Sequence, residues 1–441
     1  MAVAKRRFAA LGLALGLGLA MSGCLQSDDG GGDSNSASSG KSGDKTVTIL
    51  GAFGGDEQKA FESSLADFEK SSGIDIQYTS DTDFTTTIVQ KVNTGAAPDI
   101  GIFPQPGGLI DLSDKMTPLE DVIDLGAIQS TLIPGFLEAA TASDGKVYGA
   151  PMRMAVKSIV WYPKPSYEDA GFSTDVASYQ DLLTLSQQIA DSGTPPWCMG
   201  WESDQATGWV GTDWLEELVL RIGGPDVYDQ WVKHEIPFDD PTVVQALDEF
   251  GKIAKNPDFV LGGTKGILNT NFADAMNPAF EAKPGCYLMR QGNFATGFFP
   301  DNVQGDLDGT VGTFYFPHVD GGYDGNPVLG GGDLAAVFNG DDPDVKKVME
   351  FLTSDKFGGP WAASGGWLSP HSTFDASQYG DETTRAIAQS AADADVFRFD
   401  GSDLMPADVG SGTFWTGMVD WLGGKSSEDT LKAIDESWPS S

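Results

Sequence analysis

Thr46-Val47-Thr48-Ile49-Leu50, Ile74-Asp75-Ile76-Gln77-Tyr78 and Pro98-Asp99-Ile100-Gly101-Ile102-Phe103 are three short β-type runs separated by two helical patterns. Between the first and second runs, Ala60, Phe61, Leu65 and Phe68 keep one apolar face until Gly73 stops the helix. Between the second and third, residues 84–93 set Phe84, Ile88, Val89 and Val92 on one side. Strand–helix–strand–helix–strand in this order implies a parallel sheet covered by helices. In open α/β sheets, ligands sit at the loops beyond the carboxyl ends of the strands. Those loops are residues 53–57, 79–84 and 103–108.

Downstream, Val147-Tyr148-Gly149-Ala150-Pro151 and Ser158-Ile159-Val160-Trp161-Tyr162 read as a long strand pair passing out of a first lobe. Residues 165–300 read as mostly helical, with amphipathic helices over 179–191, 214–222 and 241–254. Asp239-Asp240-Pro241 supplies the last of these with an N-cap and an N1 proline. Strand character returns at 312–317 and 328–338, around an expected turn at Gly330-Gly331-Gly332. A helix with Val345, Val348, Met349 and Leu352 on its apolar face follows, and helices over 415–422 and 428–438 end the chain.

Upstream, Lys5, Arg6 and Arg7 precede an apolar and glycine stretch from Phe8 to Met21. That stretch falls short of the roughly 20 residues needed to span a bilayer and fits a signal-peptide core. It ends in Met21-Ser22-Gly23-Cys24, which resembles the bacterial lipobox, whose cysteine is diacylated and becomes the new N-terminus. The alternative is an ordinary signal peptide with an incidental cysteine. Residues 1–23 are therefore expected as a leader and 24–45, rich in Ser, Gly and Asp, as a flexible tether. Such a tether suits a lipid-anchored protein on the extracytoplasmic, cell-surface face of a Gram-positive membrane. No second apolar run reaches membrane-spanning length, so the anchor is the expected membrane contact.

The chain carries 64 acidic against 27 basic residues, a net charge of -37 over 441 residues. This argues against nucleic acid and against docking on anionic lipid. A hydrophobic content of 40%, with 11 Trp and 25 Phe, marks a globular chain, and residues 46–441 are long enough for more than one lobe. Cys198 and Cys286 make an even pair, most simply a disulfide in an oxidising compartment; two separate buried thiols are the alternative. With only His234, His318 and His371 elsewhere, these cysteines make no zinc site, and no metal or cofactor is expected.

Signatures of catalysis fail. There is no G-x-S-x-G elbow and no H-E-x-x-H. Asp213 with Glu216 or Glu217 is the most suggestive carboxylate pair for glycoside hydrolysis, but helical spacing of this kind more commonly marks a solvated face. No catalytic residue is assigned, and the chain reads as a binder rather than an enzyme. What stands out instead is aromatic and polar residues at loop ends: Trp197, Trp201, Trp209 and Trp214 beside Glu202, Asp204, Gln205 and Asp213, then Phe294, Trp361, Trp367 and Trp415. Sugar rings stack apolar C–H faces on aromatic planes and give hydroxyls to Asp, Glu, Asn, Gln and Arg, so a cleft combining both fits carbohydrate. About half the tryptophans are expected in the core, Trp161, Trp214, Trp421 and Trp438 foremost.

Several separated stretches resemble, in the right order, the carbohydrate-binding subunits of ABC importers, the group that includes maltose-binding protein. They are residues 46–56, Gly95-Ala96-Ala97-Pro98-Asp99-Ile100, Tyr148-Gly149-Ala150-Pro151, and Met405-Pro406 with Phe414-Trp415. Within that family, residues 198–214, Tyr228-Asp229-Gln230-Trp231 and Arg290-Gln291-Gly292-Asn293-Phe294 look like the α-glucoside-binding branch. The resemblance implies an α/β, two-lobed periplasmic-binding-protein-like fold of type II with the ligand cleft between the lobes. The N-terminal lobe would take 46–152 plus about 305–342, and the C-terminal lobe about 153–304 plus 343–441. It implies a monomer that closes on a small-molecule sugar and delivers it to the membrane subunits of an ABC permease. It also implies ligand-binding roles for Asp56, Asp83, Gln105, Arg153, Glu202, Gln205, Trp209, Phe294, Asp333, Trp367 and Trp415. In the third loop, Phe103-Pro104-Gln105-Pro106 stands where maltose-binding protein has a tryptophan and charged residues, which leaves room for a different sugar. The rival readings are the same fold with a polyamine, peptide or phosphate ester, and a secreted glycosidase.

Overall fold

The computed structural model describes residues 45–439 apart from Pro134. The expected leader, Cys24 and the tether up to residue 44 lie outside the described residues. The first three strands are β1 (Thr46–Gly51), β2 (Asp75–Ser80) and β3 (Ile100–Phe103). β1 runs parallel to both others, with Ile49 opposite Tyr78 on one side and Ile100 on the other. The helix Gly55–Ser72 ends at Gly73, whose φ of 71° lets its N–H reach the Glu69 carbonyl, a left-handed cap that glycine adopts without steric penalty. The helix Phe84–Asn93 buries Phe84, Ile88 and Val92. Val89, expected on the same face, is 41% exposed.

The expected strand pair leaving the first lobe is split between two sheets. β4 (Gly149–Val156) belongs to the first sheet and β5 (Ile159–Pro163) to a second, so the chain crosses at Lys157-Ser158. The remaining strands are β6 (Met289–Arg290), β7 (Val311–Tyr315), β8 (Pro327–Val337) and β9 (Val396–Phe399). The first sheet runs β2-β1-β3-β8-β4, with β9 parallel to β8; the second is an antiparallel β6-β5-β7. The expected turn at Gly330-Gly331-Gly332 is instead the interior of β8. A Cβ at Gly330 would lie 2.2 Å from the Phe397 ring, and one at Gly332 would lie 2.3 Å from the Arg153 carbonyl. The glycines let β9 and β4 approach β8 closely, which is the other reason for glycine in a strand.

Two hydrophobic cores lie against these sheets. One holds Val47, Ile49, Phe61, Ile100 and Leu334; the other holds Leu182, Trp214, Leu218, Phe250 and Trp421. Of residues 343–441, expected in the second lobe, the stretch up to Phe399 packs with the first core instead. The helix Pro343–Leu352 packs on β1 and β8, and its Val345, Val348, Met349 and Leu352 join the first core together with Trp361, Trp367 and Ile387. The second core takes up the chain again from Met405. An amphipathic helix follows the apolar face that it can cover, whatever its place in the sequence.

The centre of the second core is the helix Trp209–Val232, broken at Gly224 (φ 74°, ψ 178°) and Pro225. Every residue from 210 to 221 is buried, so the helix has no solvated face there. Cys198 and Cys286 are joined as a disulfide, with Cα atoms 5.3 Å apart. Eight of the eleven tryptophans are almost fully buried, more than the expected half; Trp197, Trp201 and Trp367 are among them, while Trp438 is only partly buried. Among the described residues, no helix is long and apolar enough to cross a membrane.

Candidate functional site

The three loops at the carboxyl ends of β1, β2 and β3 open onto one cavity of about 310 Å³. They contribute Phe53 and Glu57, then Thr82 and Phe84, then Pro104 and Gln105. β4 and β8 add Arg153 and Asp333. The opposite wall carries Trp209, Phe272, Phe294, Phe298 and Trp415, and the floor carries Lys157, Asp213, Asp400, Ser402 and Asp403.

Arg153 organises the first wall. Its Nη1 donates to Glu57 at 2.8 Å and its Nε to Asp333 at 2.5 Å, while the guanidinium lies 4.7 Å over the Phe53 ring and 5.2 Å over Trp361. Burial works against its charge, but Asp333 and Glu57 outweigh burial and keep it firmly protonated. Across the cavity, Trp209 meets Phe272 edge-on at 5.2 Å and Phe294 at 6.1 Å. Gln105 Oε1 and Trp415 Nε1 are both buried without a hydrogen-bond partner in the chain, one an acceptor and one a donor. Leaving such a group unpaired costs about 1–3 kcal/mol, so each favours a ligand that completes it.

The floor is a buried charge network. Lys157 donates to Asp213 at 2.9 Å and also to Asp400. Ser402 Oγ donates to Asp400 Oδ1 at 2.9 Å, and Ser402 N to Glu216 Oε1 at 2.9 Å. Behind it, Glu217 accepts from Arg221 at 2.8 Å and from Arg290 at 2.9 Å. Burial weighs against charge on Glu217, but the two arginines prevail and hold its pKa below the ordinary glutamate range. Oxygens of Asp213, Glu216 and Asp400 lie within 4.8 Å of one another. The positive charge that such a cluster calls for is already supplied there by Lys157, so the donor set does not argue for a metal.

Residues 54–358 match the family of bacterial extracellular solute-binding proteins. The chain belongs to that family. It is 41% identical over 397 residues to the osmoprotective compounds-binding protein GgtB of Synechocystis sp., covering 90% of this chain and 93% of that one. It is 38% identical over 408 residues to the alpha-glucosides-binding periplasmic protein AglE of Rhizobium meliloti, covering 90% and 87%. Among solved structures, maltose-bound T. maritima MalE3 superposes with a TM-score of 0.69 at 16% identity, covering 89% of this chain and 98% of that one. The fold is thus the two-domain, maltose-binding-protein type. These relatives are solute-binding proteins of ABC transporters, not enzymes.

In this solute-binding protein, Gln105, Arg153, Trp209, Phe294, Asp333 and Trp415 of the expected site come together on the cavity wall. Asp56 does not; its side chain is 76% exposed and pairs with Lys59, while the adjacent Glu57 turns inward. Asp83 and Gln205 are outside the lining and hydrogen-bond to each other at 3.3 Å. Glu202 is occupied by Asn271 and the Asp204 N–H. Trp367 is 1% exposed, packed against Phe357 and Phe374 in the first core. Sequence reasoning passed over Glu57, Lys157, Asp400 and Asp403, and took Asp213, Glu216 and Glu217 for a solvated face when all three are buried. One signal was available: Trp214-Leu215-Glu216-Glu217-Leu218-Val219-Leu220 sets two acids in a run with no other polar residue.

Proposed function

We propose that this protein is the lipid-anchored capture subunit of an ABC importer, acting as a monomer, and that it closes on a sugar, most specifically an α-glucoside, for delivery to the permease. One observation carries the ligand class. A single cavity pairs an aromatic wall, Trp209, Phe272, Phe294 and Trp415, with the hydrogen-bonding set of Arg153, Asp333 and Gln105. Aromatic faces take the C–H surfaces of a sugar ring, and the polar set takes its hydroxyls. A cavity of about 310 Å³ sits at the small end of the range for ligand pockets and favours a short saccharide. The names of GgtB and AglE, osmoprotective compounds and alpha-glucosides, favour the same ligand class. The basic leader and Met21-Ser22-Gly23-Cys24 support export and acylation at Cys24.

A cationic ligand is the second reading. Glu57, Asp213, Asp333, Asp400 and Asp403 outnumber Arg153 and Lys157 around the cavity. Thermal-shift screening of the purified protein against sucrose, trehalose, maltose, a β-glucoside and spermidine separates the two, because a ligand that binds only the folded state raises Tm. Stabilisation by α-glucosides is the expected result; stabilisation by spermidine alone would overturn the sugar reading. Cys24→Ser is expected to release the protein from the membrane fraction, and retention there would refute the anchor.

A further inference from the structure

We propose that Glu216 carries a proton at neutral pH and, through the hydrogen bond it donates to Asp400, positions the floor of the ligand cavity. Glu216 is fully buried. Its Oε1 accepts from Ser402 N, but its Oε2 is buried and receives no donor. Oxygens of Asp213 and Asp400 lie within 4.8 Å of its own. Lys157 bonds both of those aspartates and not Glu216. A charged Glu216 would thus place an unpaired carboxylate oxygen against two other carboxylates in a buried site. A protonated Glu216 turns that oxygen into a donor, and Asp400, bonded to Lys157 and Ser402, is the acceptor.

The groups facing Glu216 agree with this. From its own helix come Asp213 and Tyr228, whose hydroxyl donates to the Phe399 carbonyl; Arg221 on that helix is tied to Glu217. From the crossing comes Lys157, and from the segment after β9 comes Asp400. From β6, Arg290 bonds Glu217 at 2.9 Å and approaches Asp213 at 3.9 Å. Among the described residues, no cation bonds Glu216. Burial first, and then Asp400 and Asp213, push its pKa well above the ordinary value, whereas at Asp400 burial is outweighed by Lys157 and the pKa falls. Asp213 is the rival proton carrier, also raised by burial and with its Oδ2 lacking a hydrogen-bond partner, but Lys157 bonds its Oδ1 and Arg290 lies 3.9 Å from its Oδ2, whereas neither cation bonds Glu216.

Asp400, Ser402 and Asp403 line the cavity and Glu216 does not, so Glu216 acts through them as a positioning residue. That consequence for ligand rests on the sugar-site reading above; the protonation itself does not. A carboxyl whose folded pKa exceeds its ordinary value of 4.5 binds more protons folded than unfolded, so its stabilisation is complete below pH 4.5 and is lost as pH rises toward the folded value.

The experiment is chemical denaturation of ligand-free wild type, Glu216→Gln and Asp213→Asn between pH 5 and 9. Glutamine keeps a donor and cannot titrate. The unfolding constant of wild type relative to Glu216→Gln is expected to rise by up to about tenfold per pH unit until Glu216 ionises. Parallel profiles for wild type and Glu216→Gln would overturn the proposal. So would loss of the slope in Asp213→Asn alone, or a rise in wild-type Tm with Ca²⁺ at pH 8 that Glu216→Gln lacks, which would put a cation where we place the proton. If Glu216→Gln does not fold, carboxyl-carbon NMR of glutamate-labelled wild type decides: one glutamate is expected to stay protonated at pH 7, and titration of every glutamate below pH 6 refutes the claim. For a sugar that raises Tm, affinity is expected to weaken from pH 6 to pH 9 in wild type and stay flat in Glu216→Gln. If no sugar binds, the ligand reading fails while the denaturation and NMR results still decide Glu216.

Discussion

Arg153 is the side chain on which the first cavity wall depends. Replacing it with methionine leaves the buried Asp333 and the partly buried Glu57 without their cation, and breaking a buried pair from one side costs about 3–5 kcal/mol. Urea denaturation of Arg153→Met should register a loss of that order. Trp209→Ala removes one aromatic face while leaving Phe272 and Phe294; sugar affinity measured by calorimetry should fall about two- to tenfold, given ~0.5–1.5 kcal/mol for such a contact. At this scale the sequence was legible in part: six of the expected site residues line the cavity, whereas Trp367 is packed in the first core. The turn after β1 was identified, but Asp56 was chosen where Glu57 faces inward. Adjacent residues of a helical turn point about 100° apart, and nothing local tells which one meets an arginine 96 positions away. The burial of Asp213 and Glu216 is hidden from the sequence for the same reason. Their helical spacing was plain, but Lys157 and Asp400, the partners that make burial tolerable, come from distant parts of the chain.

Strand β8 is the element that joins the first sheet, pairing with β3, β4 and β9. Gly332→Ala would place its methyl group 2.3 Å from the Arg153 carbonyl, a backbone atom that cannot step aside. Overpacking of this kind costs about 1–3 kcal/mol, and the denaturation midpoint should fall accordingly. Elements whose signals are local were readable: the helix Tyr179–Asp191 begins at a Ser178–Asp181 capping box, and Pro241–Ala254 begins at Asp240 as its sequence implies. The place of β8 between β3 and β4 was not readable. Its pairs, such as Ile100 with Val337, join residues far apart in sequence, and its three glycines carry the same local signature as a turn.

For the whole molecule, acid should destabilise through Glu217. Its folded pKa lies below the ordinary 4.5, so its contribution is present above that pH and lost as pH falls through the folded value. Calorimetry should show Tm dropping below pH 4.5, and Glu217→Gln, though less stable at pH 7, should drop less steeply. The two-lobed plan came from the family resemblance and the parallel sheet from the order of strands and helices, whereas the return of residues 343–399 to the first core was not legible, since only the position of an uncovered sheet face decides where an amphipathic helix settles. The disulfide adds something different from stability. Cys198 and Cys286 stand 88 positions apart, and the chain between them includes the exposed residues at 257 and 258. A protease cutting there leaves one covalent molecule, so a nicked protein should migrate as full length on a nonreducing gel and part into two fragments only when a reductant is added.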